Sequence, residues 1–171
     1  MMTDSDVIEV VGRLEEAGLN VWLDGGWGVD ALLDEQTRAH DDLDLVVELP
    51  ATDDILALLT SLGFRVSTDE RPTRLVVTDD TDRRIDLHPI VLDAEGNGRQ
   101  IGAGPSGGDA VYSAAGLKGA GTVDGPLVRC LTPELLLLHH SGYEPQEKDR
   151  HNVRVLWERF GLPLPRGYAD P

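Results

Sequence analysis

The chain has 171 residues, 40% of them apolar, with 31 acidic against 15 basic side chains and a formal net charge of −16. That length fits one domain, or one domain with a small appendage, and the apolar share is enough for a real core. The acidity argues against nucleic acid as an electrostatically captured partner, since no basic run follows a phosphate backbone; it suits a small cationic substrate, and equally plain solubility.

Residues Asp4 to Ala17 place Val7, Val10, Val11 and Leu14 at helical spacing, with Gly18 as a stop. "NVWLD" reads as a short strand, followed by the pair Gly25-Gly26 and a brief helix "WGVDALL". "DDLDLVVEL" is a strand, and "TDDILALLTSLG" a helix with Thr52 as its cap and Gly63 as its end. "FRVST", "RLVVT" and "RRIDLHPIVL" are three further strands, the last two joined by the polar turn "DDTD". From Asp93 to Gly125 the chain turns glycine-rich with little periodicity. A disordered linker is one reading, and an ordered loop or short strands anchored by Ile101, Val111, Tyr112 and Leu117 is the other. "LTPELLLLHH" opens a helix with Thr132 as cap and Pro133 in its first turn. "EKDRHNVRVLWERFG" forms a last helix through Val153, Leu156, Trp157 and Phe160, closing at Gly161.

The expected fold is α+β: a mixed sheet of about five strands with a helical C-terminal end. The division is 1–92 as a catalytic core and 93–171 as a glycine-rich segment and helices that complete an acceptor site, together one compact unit. Cys130 is the single cysteine, so no internal disulfide forms, as suits a reducing compartment. "MMTDSDVIEV" has neither a basic nor an apolar leader region, and the apolar run Leu135 to Leu138 is far short of the ~20 residues a membrane span needs. A cytoplasmic protein without membrane contact is expected.

Side chains alternate faces along a strand, so Asp42 and Asp44 share one face while Leu43, Leu45 and Val47 enter the core on the other. Two carboxylates side by side on a rigid support suit a hard divalent cation such as Mg²⁺. Asp86 and His88 likewise share a face in "RRIDLHPI". A third carboxylate from a neighbouring strand would complete a site for one or two metals, and two ions ~3.5–4 Å apart stabilise both oxygens of a phosphoryl displacement. A Gly-Gly turn between strand and helix lets the backbone approach a phosphate and aims N–H groups and the helix N-terminus at it. Glycines beside a carboxylate strand therefore imply a Mg²⁺–nucleoside triphosphate.

"GGWGVDALL", "TRAHDDLDL" and "RRIDLHPI", with the tail "RCLTPELLLLHHSGYEPQEKDRHNVRVLWERFGLPLP", resemble the nucleotidyltransferases that modify antibiotics. The resemblance is to the lincosamide nucleotidyltransferase and aminoglycoside 2''-adenylyltransferase group, whose catalytic domain has a DNA-polymerase-β-like fold, and it covers nearly the whole chain. It implies that Gly25 and Gly26 hold the triphosphate, that Asp42 and Asp44 hold the metals, and that Asp86 acts as general base and metal ligand. One departure is Gly26-Trp27 where the wider superfamily has Gly-Ser; the serine contact to phosphate is missing, although the antibiotic-modifying group shares the tryptophan.

Softer candidates surround these. Lys148 and Arg150 would neutralise the triphosphate or simply form a solvated helix face. Arg38 and His40 either touch the nucleotide or orient the carboxylate strand. Asp41 reads as surface, His88 as a strand histidine or a catalytic one, and His139 and His140 match no metal spacing. Trp27 packs behind the turn or lines a substrate pocket. The leading expectation is Mg²⁺-dependent transfer of AMP, or another NMP, from ATP or another NTP to a hydroxyl of a small cationic acceptor, releasing pyrophosphate. Two alternatives stand beside it: a toxin–antitoxin-type nucleotidyltransferase acting on RNA or protein, and a nucleotide-binding domain without catalysis. The absence of a basic tract counts against RNA, and the presence of all three carboxylates counts against a non-catalytic domain. Nothing in the sequence sets the oligomeric state.

Overall fold

The computed structural model describes residues 1–141 and 143–168; Gly142, within the tail quoted above, and residues 169–171 lie outside the described residues. Helix α1 (Asp4–Glu16) starts on a capping box: Thr3 Oγ1 accepts from the Asp6 amide at 3.3 Å, and Asp6 Oδ2 accepts from the Thr3 amide at 2.9 Å. Its four buried residues are Val7, Val10, Val11 and Leu14, the stripe the spacing predicts. Strand β1 (Val21–Leu23) runs through Asp24 into α2 (Gly25–Leu33), and β2 (Leu43–Glu48) leads to α3 (Thr52–Ser61). Strands β3 (Arg65–Glu70), β4 (Arg74–Thr78) and β5 (Arg84–Leu92) follow. The glycine-rich segment is ordered. It carries β6 (Gly98–Gln100), β7 (Ala110–Tyr112) and β8 (Gly119–Thr122), and β9 (Leu127–Cys130) comes next. Helices α4 (Pro133–His139) and α5 (Glu147–Phe160) close the fold.

The sheet is mixed, in the order β3-β4-β5-β2-β1-β9-β8, with β6 and β7 added beside β5. It has nine strands among the described residues rather than about five. The extra ones are only three or four residues long, and two of them, β6 and β8, carry glycine where a strand pattern would show apolar alternation. Gly121 shows why: a Cβ there would collide with the Ala31 backbone, so β8 is glycine because it lies directly against α2. Two helix starts also differ from expectation. Thr52 is the first residue of α3 rather than its cap, and its hydroxyl donates to the Leu49 carbonyl at 2.9 Å. α2 begins at Gly25, two residues ahead of the expected start, with Asp24 as its cap. Thr132 does hold the cap position of α4, without a side-chain capping bond.

The sheet separates two apolar layers. Leu43, Leu45, Val47, Leu75, Ile85 and Leu87 face α1 and α3, meeting Val10, Leu14, Ile55 and Leu59. Trp22, Val46 and Ile90 face the other way, towards Leu136, Val153 and Leu156 of α4 and α5. β2 and β5 are parallel neighbours, and their register pairs Asp44 with Asp86 and Val46 with His88. The acidic residues therefore lie on the face that α4 and α5 cover. No helix among the described residues is long and apolar enough to cross a membrane.

Candidate active site

The site is built where β1 gives way to α2 beside the start of β2. The Asp24 amide donates to the Asp44 carbonyl at 3.0 Å, and Asp24 Oδ1 accepts from the Gly25 amide at 2.7 Å. Gly25 sits at φ +54, and a Cβ there would overlap the Asp44 carboxylate. A Cβ on Gly26 would overlap the His40 ring and the Arg38 guanidinium. The glycine pair thus brings a helix N-terminus, with its unpaired N–H groups and positive dipole end, against the carboxylate strand. Gly26→Val should force Arg38 and His40 outward and block that end of the helix. Loss of one charge-assisted phosphate contact is worth ~2 kcal/mol, so KM for a nucleoside triphosphate should rise roughly 30-fold with kcat less affected. An unchanged nucleotide titration in this variant would remove the turn from the binding site.

Gly25, Gly26, Arg38, Asp42, Asp44 and Lys148 line one cleft of about 210 Å³. Six of the seven candidate site residues therefore meet. Asp42 has its carboxyl raised by burial and by the charge of Asp44, against Lys148 and Arg84. Burial pushes Asp44 up as well, but the hydrogen bond and charge of His88, with Lys148 and Arg84, bring it below the usual carboxylate range. His88 Nε2 lies 3.3 Å from Asp44 Oδ1. Burial lowers the pKa of His88, and Asp44 more than reverses this, taking it up to about 9.

Asp86 is the exception. Its register is beside Asp44, but its side chain is 6% exposed and turned onto the guanidinium of Arg74, with Arg84 at 3.3 Å. A hard divalent ion fits the chemistry of Asp42 and Asp44, two oxygen donors whose mutual repulsion raises one of them. The third donor is not delivered in this arrangement. Among the described residues, no three metal-ligating side chains are placed to enclose an ion, because Arg74 holds the third carboxylate.

The neighbouring positions fall into two groups. Arg38 Nε donates to Asn152 Oδ1 at 3.2 Å, which fixes the guanidinium at the cleft. Lys148 and Asn152 stand four residues apart on α5 and share its cleft-facing side. Arg150 instead points to Glu144 at 3.9 Å and is half exposed. Asp41 is exposed, as expected. His40 is buried and structural: its Nε2 lies 2.5 Å from Asp30 Oδ2, while Thr37 donates to Asp30 Oδ1 at 2.7 Å. Asp30→Ala leaves the buried His40 without this partner, whereas Thr37 keeps His151 Nε2 at 2.9 Å, and should cost roughly 2 kcal/mol of stability in denaturant unfolding; a loss below ~0.5 kcal/mol would mean the His40–Asp30 contact is not stabilising. Trp27 is 2% exposed and packs on His40 at 4.7 Å between ring centroids. It lines a wider acidic cleft of about 510 Å³ that shares no residue with the catalytic one. His140 bonds the Leu136 carbonyl at 2.7 Å and lies 3.3 Å from Asn152 Nδ2, holding α4 to α5.

Sequence reasoning missed Asp24, Arg74, Tyr143, Asp149 and Asn152. Two of these left a signal: Asn152 stands one helical turn beyond Lys148, and an aspartate directly before a helix-starting glycine is a cap. Arg74 left none, since its meeting with Asp86 depends on the β4–β5 register, which pairs Val76 with Asp86.

With the geometry in place, comparison with known proteins is informative. The family model described as aminoglycoside-2''-adenylyltransferase matches residues 6–156. A lincosamide resistance protein of Staphylococcus haemolyticus is 30% identical over 155 residues, covering 91% of this chain and 94% of the relative. The crystal structure of lincosamide antibiotic adenylyltransferase LnuA with lincomycin bound superposes with a TM-score of 0.80 at 28% identity, covering 91% of this chain and 96% of that one. The crystal structure of ANT(2'')-Ia in complex with adenylyl-2''-tobramycin shares the fold, with a TM-score of 0.73 at 22% identity, covering 92% of this chain and 89% of that one. A mixed sheet with helices on it, a carboxylate pair at a Gly-Gly helix start and near full-length likeness agree: the chain is a nucleotidyltransferase and belongs to the aminoglycoside-2''-adenylyltransferase family.

Proposed function

We propose that this chain transfers AMP from Mg²⁺-bound ATP to a hydroxyl of a small cationic antibiotic, a lincosamide before an aminoglycoside, and releases pyrophosphate. The observation that carries this reading is the convergence of Asp42, Asp44, the α2 N-terminus, Arg38 and Lys148 on one cleft. The N-terminus of α2 and the two cations would bind and orient the triphosphate. Asp42 and Asp44, joined by Asp86, would hold two magnesium ions, which supply charge stabilisation for the attacking and leaving oxygens when bound. The acceptor oxygen forms a bond to the α-phosphorus as the bond to the β-phosphate oxygen breaks, and Asp86 takes the hydroxyl proton. Asp86 can do this only after turning from Arg74 towards the cleft. The chain from residue 93 onward would complete the acceptor side through α4, α5 and the connection between them, where His139, Asp149 and Tyr143 line the same cleft. An ATP-consuming reaction of this kind belongs in the cytoplasm.

The lincosamide preference rests on the full-length likeness to the staphylococcal resistance protein and to the lincomycin-bound structure. Incubating the protein with lincomycin or tobramycin, with ATP or GTP, and Mg²⁺, followed by mass analysis, tests it. The expected result is a nucleotidylated lincomycin formed from ATP. Adduct on tobramycin alone would reverse the acceptor assignment, and adduct on neither would remove it.

A further inference from the structure

The glycine-rich segment reaches the carboxylates through one buried side chain, Gln100, which is 4% exposed. Its Oε1 accepts from the Tyr112 hydroxyl at 2.8 Å, and its Nε2 donates to the Thr73 carbonyl at 2.8 Å. The same nitrogen lies 3.2 Å from His88 Nδ1, and His88 Nε2 lies 3.3 Å from Asp44 Oδ1. The directions in this chain are fixed by chemistry. A carbonyl oxygen only accepts, so it is the nitrogen of Gln100 that faces Thr73, and its second hydrogen faces His88 Nδ1. Burial pushes the Tyr112 hydroxyl up, so it stays protonated and donates to Oε1. With Nδ1 accepting, the imidazole proton sits on Nε2, facing Asp44. Nε2 donates to Asp44 in the neutral ring and in the imidazolium alike, so this contact does not depend on the charge of His88.

We propose that Gln100 is a positioning residue: anchored by Tyr112 and Thr73, it orients His88 so that Nε2–H holds the Asp44 carboxylate in its cation-binding pose. This rests on Asp44 being a metal carboxylate, as argued above. It also gives the glycine-rich segment a part in the reaction, because β6 and β7 supply both Gln100 and its anchor. Groups that hold a metal ligand from behind typically change metal affinity ~10–100-fold when removed.

Mn²⁺ binding, read by electron paramagnetic resonance on the full chain, tests the proposal without turnover. Gln100→Leu, one side-chain atom smaller and apolar, is expected to weaken Mn²⁺ about tenfold in the folded protein; its melting temperature should fall, because the buried Tyr112 hydroxyl loses its acceptor. Tyr112→Phe, which frees only Oε1, is expected to weaken it a few-fold, and it carries the test should the leucine variant not fold. Nitrogen-15 spectra of the imidazoles in the Mg²⁺-loaded protein should show a His88 Nε2–H in a hydrogen bond, a signature weakened in Gln100→Leu. Mn²⁺ affinity unchanged in the folded variants overturns the positioning role. Asp44→Asn separates the two readings. Weaker binding there but not in the Gln100 variant removes Gln100 and keeps Asp44 as a ligand, whereas unchanged binding in both removes Asp44 as a ligand and the proposal with it.

Discussion

Asp44→Ala should abolish nucleotidyl transfer and leave the fold intact. The carboxylate stands on the exposed end of an otherwise apolar strand, 26% accessible, beside Asp42 and against the α2 N-terminus. A metal-bound oxygen is worth several kcal/mol of transition-state charge stabilisation, and ~4 kcal/mol is about a thousandfold in rate. Stability should hold, because the lost carboxylate is one that pushes its neighbour Asp42 upward, and its removal relieves that repulsion. The one partner left behind is His88, which loses a 3.3 Å contact. A folded variant with near-normal turnover would remove the metal assignment.

Asp86→Asn should bind Mg²⁺–ATP and fail at the chemical step. Asn is nearly isosteric with Asp but cannot take the acceptor's proton, and a general base is typically worth ~10²–10⁴-fold. The competing account is that Asp86 only anchors Arg74. In that account Asn still accepts a hydrogen bond from the guanidinium, and rates stay within a few-fold of the parent. Calorimetry of nucleotide binding beside single-turnover rates decides between them. Lost binding would make Asp86 chiefly a metal ligand, since Asp42 and Asp44 would then not suffice.

The carboxylate strands of the candidate site were legible because local rules govern them. Period-two alternation placed Asp42 and Asp44 on one face and Leu43 and Leu45 on the other, and the two apolar layers confirm that split. The same alternation put Asp86 with His88, and the parallel β2–β5 register then set both beside Asp44 and Val46. What was not legible depends on long-range pairing. Residues 98–130 hold four strands of three or four residues, too short to show a period, and the glycines of β6 and β8 answer to neighbours such as Ala31, not to a local pattern. The contact of Arg74 with Asp86 and the path from Tyr112 to Asp44 arise only when β4, β5, β6 and β7 are side by side. Such contacts leave no periodic trace in sequence.

A nucleotidyl group, and not a terminal phosphate, is expected to leave ATP at this cleft. Incubating the protein with lincomycin, Mg²⁺ and ATP radiolabelled at either the α- or the γ-phosphate tests it most directly. The expected result is α-label on the antibiotic and γ-label in pyrophosphate, both lost in Asp44→Ala. γ-label on the antibiotic, or α-label transfer that survives in Asp44→Ala, would contradict it.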